Sequence, residues 1–295
     1  MPTGQWRRIR DGTAMSDLLR SRLRRCPPAL IVAMLLCCGV AGAAAADKAA
    51  TSVRASDSQR LQQRFVVAAE GWRKVAVTLP EIKAHEALVR DLRIVVAPTA
   101  VPSLRVQRRL SGSTILVSVG WLALLDELLR AEAVSTLVPG NADCLSSYAG
   151  KVKTVLQDNR ERVKHPPRPL QAWPRLAPLI EAGDKPEGCK VLTPHDLRSP
   201  AIGARTEDDG DAAILWLLTR QAALLIALAV PEARAGSSAP AIEHGATPAA
   251  ASELADQWAQ QALDGYGLKQ PAALGWMRMH AAELFDEKTV QALAR

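Results

Sequence analysis

Residues 113–129 read STILVSVGWLALLDELL, and this stretch contains the change from strand to helix on which the predicted fold depends. The part Ser113–Val119 is apolar and β-branched, which makes it the strongest strand pattern in the chain. Gly120 ends the strand, and the leucine-rich sequence from Trp121 continues as a helix to about Val138, where a Pro-Gly pair stops it. A junction of strand, glycine and helix is therefore predicted here.

Two further strands are predicted upstream of this junction. Leu92–Ala97 is rich in β-branched residues and ends at a proline. Leu104–Leu110 alternates apolar and basic residues, and a Ser-Gly turn connects it to Ser113. The three strands predict a small antiparallel sheet packed on helices.

Most of the remainder of residues 47–295 has helical apolar spacing, which predicts a single α+β domain that is predominantly helical. The segment His165–Pro200 is rich in proline and is predicted to be irregular, within a disulfide-tethered excursion at about 139–211. Helices are predicted at Ser58–Thr78, Glu81–Val89, Ala142–Val163, Ala212–Val230, Pro248 to about Gly265, Ala272–Leu284 and Glu287–Leu293.

Residues 1–46 are predicted to be the signal peptide of a bacterial periplasmic or secreted protein. The apolar stretch Ala29–Val40 follows four arginines and leads into the alanines 43–46 before Asp47, which is the order of elements in a cleaved signal. Crossing a bilayer takes about 20 apolar residues, so no stable membrane anchor is expected after cleavage. Two points stay open: whether the segment is instead retained as an anchor, and whether translation starts at Met1 or Met15.

The basic charge of the chain comes mostly from this leader. Without the seven arginines and two aspartates of residues 1–46, the 37 basic and 30 acidic residues of the chain fall to 30 and 28. A nearly neutral domain gives no electrostatic reason to expect a nucleic acid as partner.

Two cysteines remain after the leader is removed. Cys144 and Cys189 are a pair in an oxidising compartment, which predicts one disulfide closing a loop of 45 residues. By the loop-entropy relation this bond would constrain the unfolded chain by about 4 kcal/mol. Two free structural thiols are the alternative.

Arg220 lies at the centre of the apolar segment Ala212–Val230. A central arginine costs about 2.5–3.5 kcal/mol in a membrane-spanning helix, which favours a core helix of a soluble domain. Because a buried charge needs a partner, we expect an ion pair with an acidic residue such as Asp256, the alternative being contact with a bound anion.

Three segments, taken in order, resemble the zinc metallopeptidases related to the CAAX prenyl endopeptidases and bacterial heat-shock membrane peptidases. In that family a strand enters a helix through a Val-Ser-x-Gly-Leu-Leu-like turn, and an HExxH helix and an ExxAD helix follow. Here Ile115–Leu122 reads ILVSVGWL and Ser252–Asp256 reads SELAD. The resemblance covers Leu92–Val138 and Asp211–Tyr266, and it implies a zinc-peptidase-like scaffold.

The chain departs from that family in the zinc-binding helix, where the sequence of residues 220–224 is RQAAL. Arg220 and Leu224 stand at the two histidine positions, Gln221 at the catalytic glutamate, and Ser252 at the third ligand. Zinc in such a helix needs two imidazoles one turn apart, with a carboxylate beside the first to take a proton from water. Arginine stays cationic and leucine has no lone pair, so we predict no catalytic residue, no metal and no cofactor at these degenerate positions.

A non-catalytic, peptidase-like protein of the periplasm is therefore predicted, which holds an unidentified peptide or protein between the sheet and the central helix. One alternative is an envelope interaction protein without peptidase ancestry. Another is an enzyme with a non-standard site that uses His244 or His280.

Overall fold

The most apolar strand of the chain lies at the centre of its sheet. In a computed structural model of the protein, β3 (Gly112–Ser118) is hydrogen-bonded on one side to β1 (Arg93–Ala97) and on the other to β2 (Leu104–Arg109). β1 runs parallel to β3, and β2 runs antiparallel to it. The structure describes residues 55–100, 102–109, 112–164, 171–229 and 248–284.

The sheet is therefore mixed, and the prediction of an antiparallel sheet is wrong. Successive antiparallel strands would have placed β2, with its three arginines, between its two neighbours. The chain instead crosses from the end of β1 to the far edge as β2 and returns as β3 in the middle. The central position goes to the strand that carries the fully buried Ile115 and Val117, whereas the charged strand takes an edge, where charged residues are tolerated.

Ser118 connects β3 to helix α4 (Val119–Leu137). Its hydroxyl oxygen accepts one hydrogen bond from Trp121 N at 3.0 Å and another from Ser103 N at 2.7 Å. The side chain therefore caps the helix and holds the start of β2 at the same time. The predicted passage from strand to helix is present, but Gly120 lies inside the first helical turn and does not separate the two elements.

The described residues are otherwise mostly helical, as predicted for an α+β chain. The described helices besides α4 are α1 (Ala55–Ala76), α2 (Pro80–Lys83), α3 (Glu86–Asp91), α5 (Cys144–Lys164), α6 (Leu176–Ala182), α7 (Pro194–Leu197), α8 (Pro200–Ala229), α9 (Pro248–Gly265) and α10 (Ala272–Leu284). α8 packs on α9, α4 and α1, and α4 packs on α5 and α10, so α4 and α8 form the centre of the core.

Two predictions about helix bounds are wrong. α8 begins at Pro200 and not at Ala212, because proline suits the first turn and the buried Thr206 hydroxyl donates to Ile202 O within the helix at 2.8 Å. The segment predicted to be irregular contains α6, α7 and a 3-10 turn at Glu187–Cys189. The predicted signal peptide, His244 and the last predicted helix lie outside the described residues.

α8 also contains the stretch Pro200–Ala227, the one helical segment in the described part of the chain that is long and apolar enough to cross a membrane. Most of this stretch is buried inside the protein. This burial is typical of a core helix, which is the interpretation that Arg220 favoured.

The predicted disulfide is present between Cys144, the first residue of α5, and Cys189 in the 3-10 turn. Their Cα atoms are 4.6 Å apart, so the turn lies directly against the start of the helix. Gly188 permits this approach, because a Cβ atom there would lie 2.2 Å from Asp143 O. The Gly188 amide also donates to Ser147 Oγ at 3.0 Å. A side chain at this position would push the two disulfide-linked segments apart.

Gly188→Ala is expected to lower the free energy of unfolding by about 1–3 kcal/mol, because the added methyl group meets backbone atoms that the disulfide holds in place. Urea denaturation under non-reducing conditions measures the change. Gly203→Ala is the control, since nothing lies within 4 Å of a Cβ atom at that position in α8. The control is expected to be neutral or stabilising by up to about 1 kcal/mol. Equal effects of the two substitutions would contradict this account of Gly188.

Candidate functional site

Arg220 on α8 forms an ion pair with Asp256 on α9. Its Nε atom lies 2.5 Å from Asp256 Oδ1, and its Nη2 atom donates to Ser252 Oγ at 2.7 Å. The side chains are 17% and 24% exposed, so the pair is half-buried at the junction of the two helices. Asp256 is the partner that the sequence suggested, and α8 and α9 lie side by side along this contact.

Two residues that sequence reasoning missed complete this cluster. Arg278 on α10 places Nη1 3.3 Å from the second carboxylate oxygen of Asp256. The ring of Trp216 lies 5.7 Å from the guanidinium carbon of Arg220 and 5.8 Å from that of Arg278, within range of cation–π attraction. Trp216 stands one helical turn before Arg220, a spacing that could have indicated the contact. Arg278 gave no such signal, because only the tertiary fold brings α10 here.

The degenerate metal-site positions do not fit a zinc ion. Arg220 and Ser252 are brought together, but the group that joins them is the guanidinium of Arg220, which also bonds Asp256. Gln221 is buried, Leu224 is half-buried, and neither offers a zinc ligand in place of the missing imidazoles. A second cation at this point would meet the fixed charge of the guanidinium. Within the described ranges, no three histidine, cysteine or acidic side chains are grouped so that they could hold a metal.

The cluster around Arg220 can, however, hold helices together, as a bound metal ion can. The guanidinium of Arg220 joins α8 to α9 by charge and by hydrogen bonds to Asp256 and Ser252. The cluster is therefore a structural clamp between α8, α9 and α10.

A second charged cluster surrounds Asp126 on α4. Its carboxylate lies 3.3 Å from Arg60 Nη2 and 3.5 Å from Arg130 Nη2, and it is 3.9 Å from Arg64 Nη1. Arg64 also pairs with Asp211 at 3.2 Å. Arg64 and Asp126 border a small crevice, open to solvent, whose other walls are Leu61, Phe65, Leu122, Leu125, Leu129, Gly210 and Ile214. Three arginines face two carboxylates in this cluster, and the two charged groups that line the crevice itself, Arg64 and Asp126, lie against each other.

Burial affects the ionisation of two carboxyl groups on α8. Loss of water around Asp211 raises its pKa above the ordinary value, and the neighbouring Arg64 only partly opposes this rise. Burial likewise raises the pKa of Asp209, against the pull of Arg205 Nε at 2.7 Å. Both groups have a basic partner, so the shifts reflect desolvation within structural pairs and do not mark a catalytic acid.

Glu127 on α4 is the most deeply buried of the charged side chains in the described part of the chain, with 2% of its surface exposed. One oxygen accepts from Arg175 Nε at 3.1 Å, and the other accepts from Leu176 N at 2.9 Å. Nearby, the hydroxyl of Tyr148 donates to Pro174 O at 2.9 Å. Burial raises the pKa of Tyr148 well above its ordinary value, and the charge of Glu127 adds to the effect. The phenol is thus a buried donor that ties α5 to the backbone just before α6.

The histidines considered as an alternative site are not gathered in the described structure. His280 on α10 lies edge-on to Trp276, with 4.7 Å between ring centres, and His244 lies outside the described residues. Burial lowers the pKa of His85, which directly precedes α3.

The outer edges of the sheet are the remaining candidate for a functional surface. β1 and β2 each pair with β3 on one side, and no described strand pairs with the other side of either. An open strand edge presents backbone donors and acceptors that an extended peptide can bind.

No family model, curated protein or solved structure matches this chain.

Asp256→Ala is expected to lower the free energy of unfolding by about 1–3 kcal/mol, because it leaves two arginines beside Trp216 without their counter-charge. Combining it with Arg220→Met in a double-mutant cycle should give a coupling energy of about 1–2 kcal/mol, measured by urea denaturation. The exposed pair of Arg198 and Glu181, at 3.5 Å, is the matched control, with an expected coupling of at most about 0.5 kcal/mol. A coupling in the Arg220 cycle no larger than the control would contradict the clamp.

Proposed function

We propose that this protein is a non-catalytic binding protein of the bacterial periplasm or of the secreted fraction, and that it holds an extended segment of a partner peptide or protein at its small sheet. The observation that carries the proposal is the pair of strand edges on β1 and β2 that no described strand covers. Main-chain hydrogen bonds along such an edge supply affinity without requiring any catalytic group.

The arrangement around Arg220 supports the non-catalytic part of the proposal. In the related metallopeptidases the corresponding helix would present zinc and a proton-accepting glutamate. Here a guanidinium is hydrogen-bonded to Ser252 and Asp256, and an amide, Gln221, stands at the glutamate position. We propose that the chain descends from such a scaffold and has exchanged the metal for an ion pair. The adjacency of Arg220 and Ser252 supports this correspondence of positions, while the binding function does not depend on it.

Export rests on the sequence of residues 1–46. The disulfide between Cys144 and Cys189 supports this location, since such bonds persist in oxidising compartments and are uncommon in the cytosol.

Incubation of the purified protein with fluorescently labelled, unfolded casein tests the proposal. We expect saturable binding by fluorescence anisotropy, intact casein on gels, and zinc far below one equivalent by elemental analysis. The Arg220→Met variant provides a control for the zinc measurement, because removing the guanidinium restores no imidazole. Stoichiometric zinc with chelator-sensitive cleavage would overturn the non-catalytic assignment, and absence of binding would overturn the binding function.

A further inference from the structure

Two helices place charged side chains directly beside a row of apolar ones. Arg60 and Arg64 lie one turn apart on α1, and Asp126 and Arg130 lie one turn apart on α4. Adjacent residues of a helix are about 100° apart around its axis, so each charged row borders an apolar row. The apolar rows wall the small crevice described above with Leu61, Phe65, Leu122, Leu125 and Leu129.

α8 forms the remaining wall of the crevice with Gly210 and Ile214. The glycine leaves room for an arginine of α1, because a Cβ atom at Gly210 would lie 2.5 Å from Arg64 Nη2. Arg64 donates to Glu207 O and pairs with Asp211 at 3.2 Å, and these contacts hold its guanidinium against α8. The charge of Arg64 is therefore already engaged by groups of the protein.

Arg60 and Arg130, by contrast, share one acceptor. Arg60 Nη2 lies 3.3 Å and Arg130 Nη2 lies 3.5 Å from the same oxygen, Asp126 Oδ2. In the described part of the chain, neither of these two arginines has another hydrogen bond or ion pair. Because each guanidinium carries five N–H donors, both have donors left for a further acceptor. With three arginines against two carboxylates, the cluster has one positive charge in excess.

The excess charge lies next to the crevice, since Asp126 lines it. Arg60 and Arg130 are 47% and 29% exposed, so an acceptor from solution can reach them. Two further carboxylates of α8, those of Glu207 and Asp208, act on Asp211, but both residues are exposed and water weakens their influence at a distance. An apolar crevice with cationic donors beside it suits an anion that carries a small hydrocarbon group.

We propose that the crevice and the two arginines bind the last residue of a peptide chain, with its aliphatic side chain between the leucines and its carboxylate at Arg60 and Arg130. In a C-terminal residue both groups leave the same Cα atom, so both reach one small site. Within an extended chain, adjacent side chains point to opposite sides, so an acidic residue and its apolar neighbour do not. Capture of a C-terminal carboxylate is a recurring mode of peptide recognition. This site is separate from the sheet edges and does not depend on them.

A free short-chain acid carries the same two groups as the end of a peptide. It has no adjoining chain to contact the surrounding helices, so we expect it to bind more weakly. The peptide is therefore the occupant that we favour.

Fluorescein-labelled pentapeptides test this inference on the purified protein by fluorescence anisotropy. One ends in leucine with a free carboxylate, the second is the same peptide with a C-terminal amide, and the third ends in glycine with a free carboxylate. We expect the first to bind roughly tenfold more tightly than either of the others, because each of those lacks one of the two groups. Equal binding of the amide would overturn the charge pairing, and equal binding of the glycine peptide would overturn the role of the crevice.

Competition identifies the source of the ligand. The unlabelled leucine peptide should displace the labelled one at a concentration roughly tenfold lower than isovalerate, a free acid with the same hydrocarbon group. Equal potency of isovalerate would overturn the peptide as occupant. Failure of all three peptides to bind would overturn the site itself and would leave the casein experiment on the sheet edges as it stands.

Substitutions locate the site. Arg60→Gln and Arg130→Gln should each weaken binding of the leucine peptide roughly three- to fivefold, whereas Arg198→Gln, in an exposed ion pair of 3.5 Å, should leave it unchanged. Asp126→Asn should strengthen binding roughly threefold, because it removes the negative charge that competes for both arginines. Urea denaturation checks that each variant is folded. Weaker binding by a folded Asp126→Asn variant, or equal effects of the three arginine substitutions, would overturn the assignment.

Discussion

Three carboxylates on α4 connect helices that are far apart in the sequence. Glu127 accepts a hydrogen bond from the first amide of α6, and Glu132 accepts from the first two amides of α10, Ala272 N and Ala273 N, at 2.9 and 2.8 Å. Asp126 forms ion pairs with Arg60 and Arg64 of α1. The first amides of a helix have no partner within it and carry partial positive charge, so a carboxylate placed there contributes about 1 kcal/mol or more. The core consequently has a polar framework inside its apolar packing.

This framework also positions the surface proposed for binding. α4 follows β3 without a loop, and Ser118 bonds both the first turn of the helix and the start of β2. A sheet of only three strands has little stability of its own. Anchoring its central strand to the helix that binds α1, α6 and α10 gives the sheet edge a fixed position.

The parts of the fold that sequence reasoning predicted are those governed by local periodicity and simple pairing. The apolar run from Ile115 to Leu129 predicted the strand and the core helix. The two cysteines outside the leader predicted the disulfide, and the position of Arg220 in an apolar helix predicted an acidic partner. Strand order was not predictable in this way, because Leu104–Arg109 fits an edge or a meander equally well until the burial of β3 is known. The predicted start of α8 lies too far along the chain, because the first turns of this helix are polar and resemble the N-cap region of a shorter helix.

The capping roles of Glu127 and Glu132 left no signal in the sequence, since the helices they cap begin 49 and 140 residues away. The same holds for Arg278 beside Asp256. Side chains such as these, which join distant elements without a local pattern, become visible only when the fold has brought those elements together.

Hydrogen–deuterium exchange on a pair of variants tests the framework most directly. Glu127→Ala should speed exchange in the first turn of α6 and leave the first turn of α10 unchanged, whereas Glu132→Ala should do the reverse. Unaltered exchange at both helix starts, or the same loss of protection throughout the chain in both variants, would contradict the assignment of α4 as the helix that fixes its neighbours.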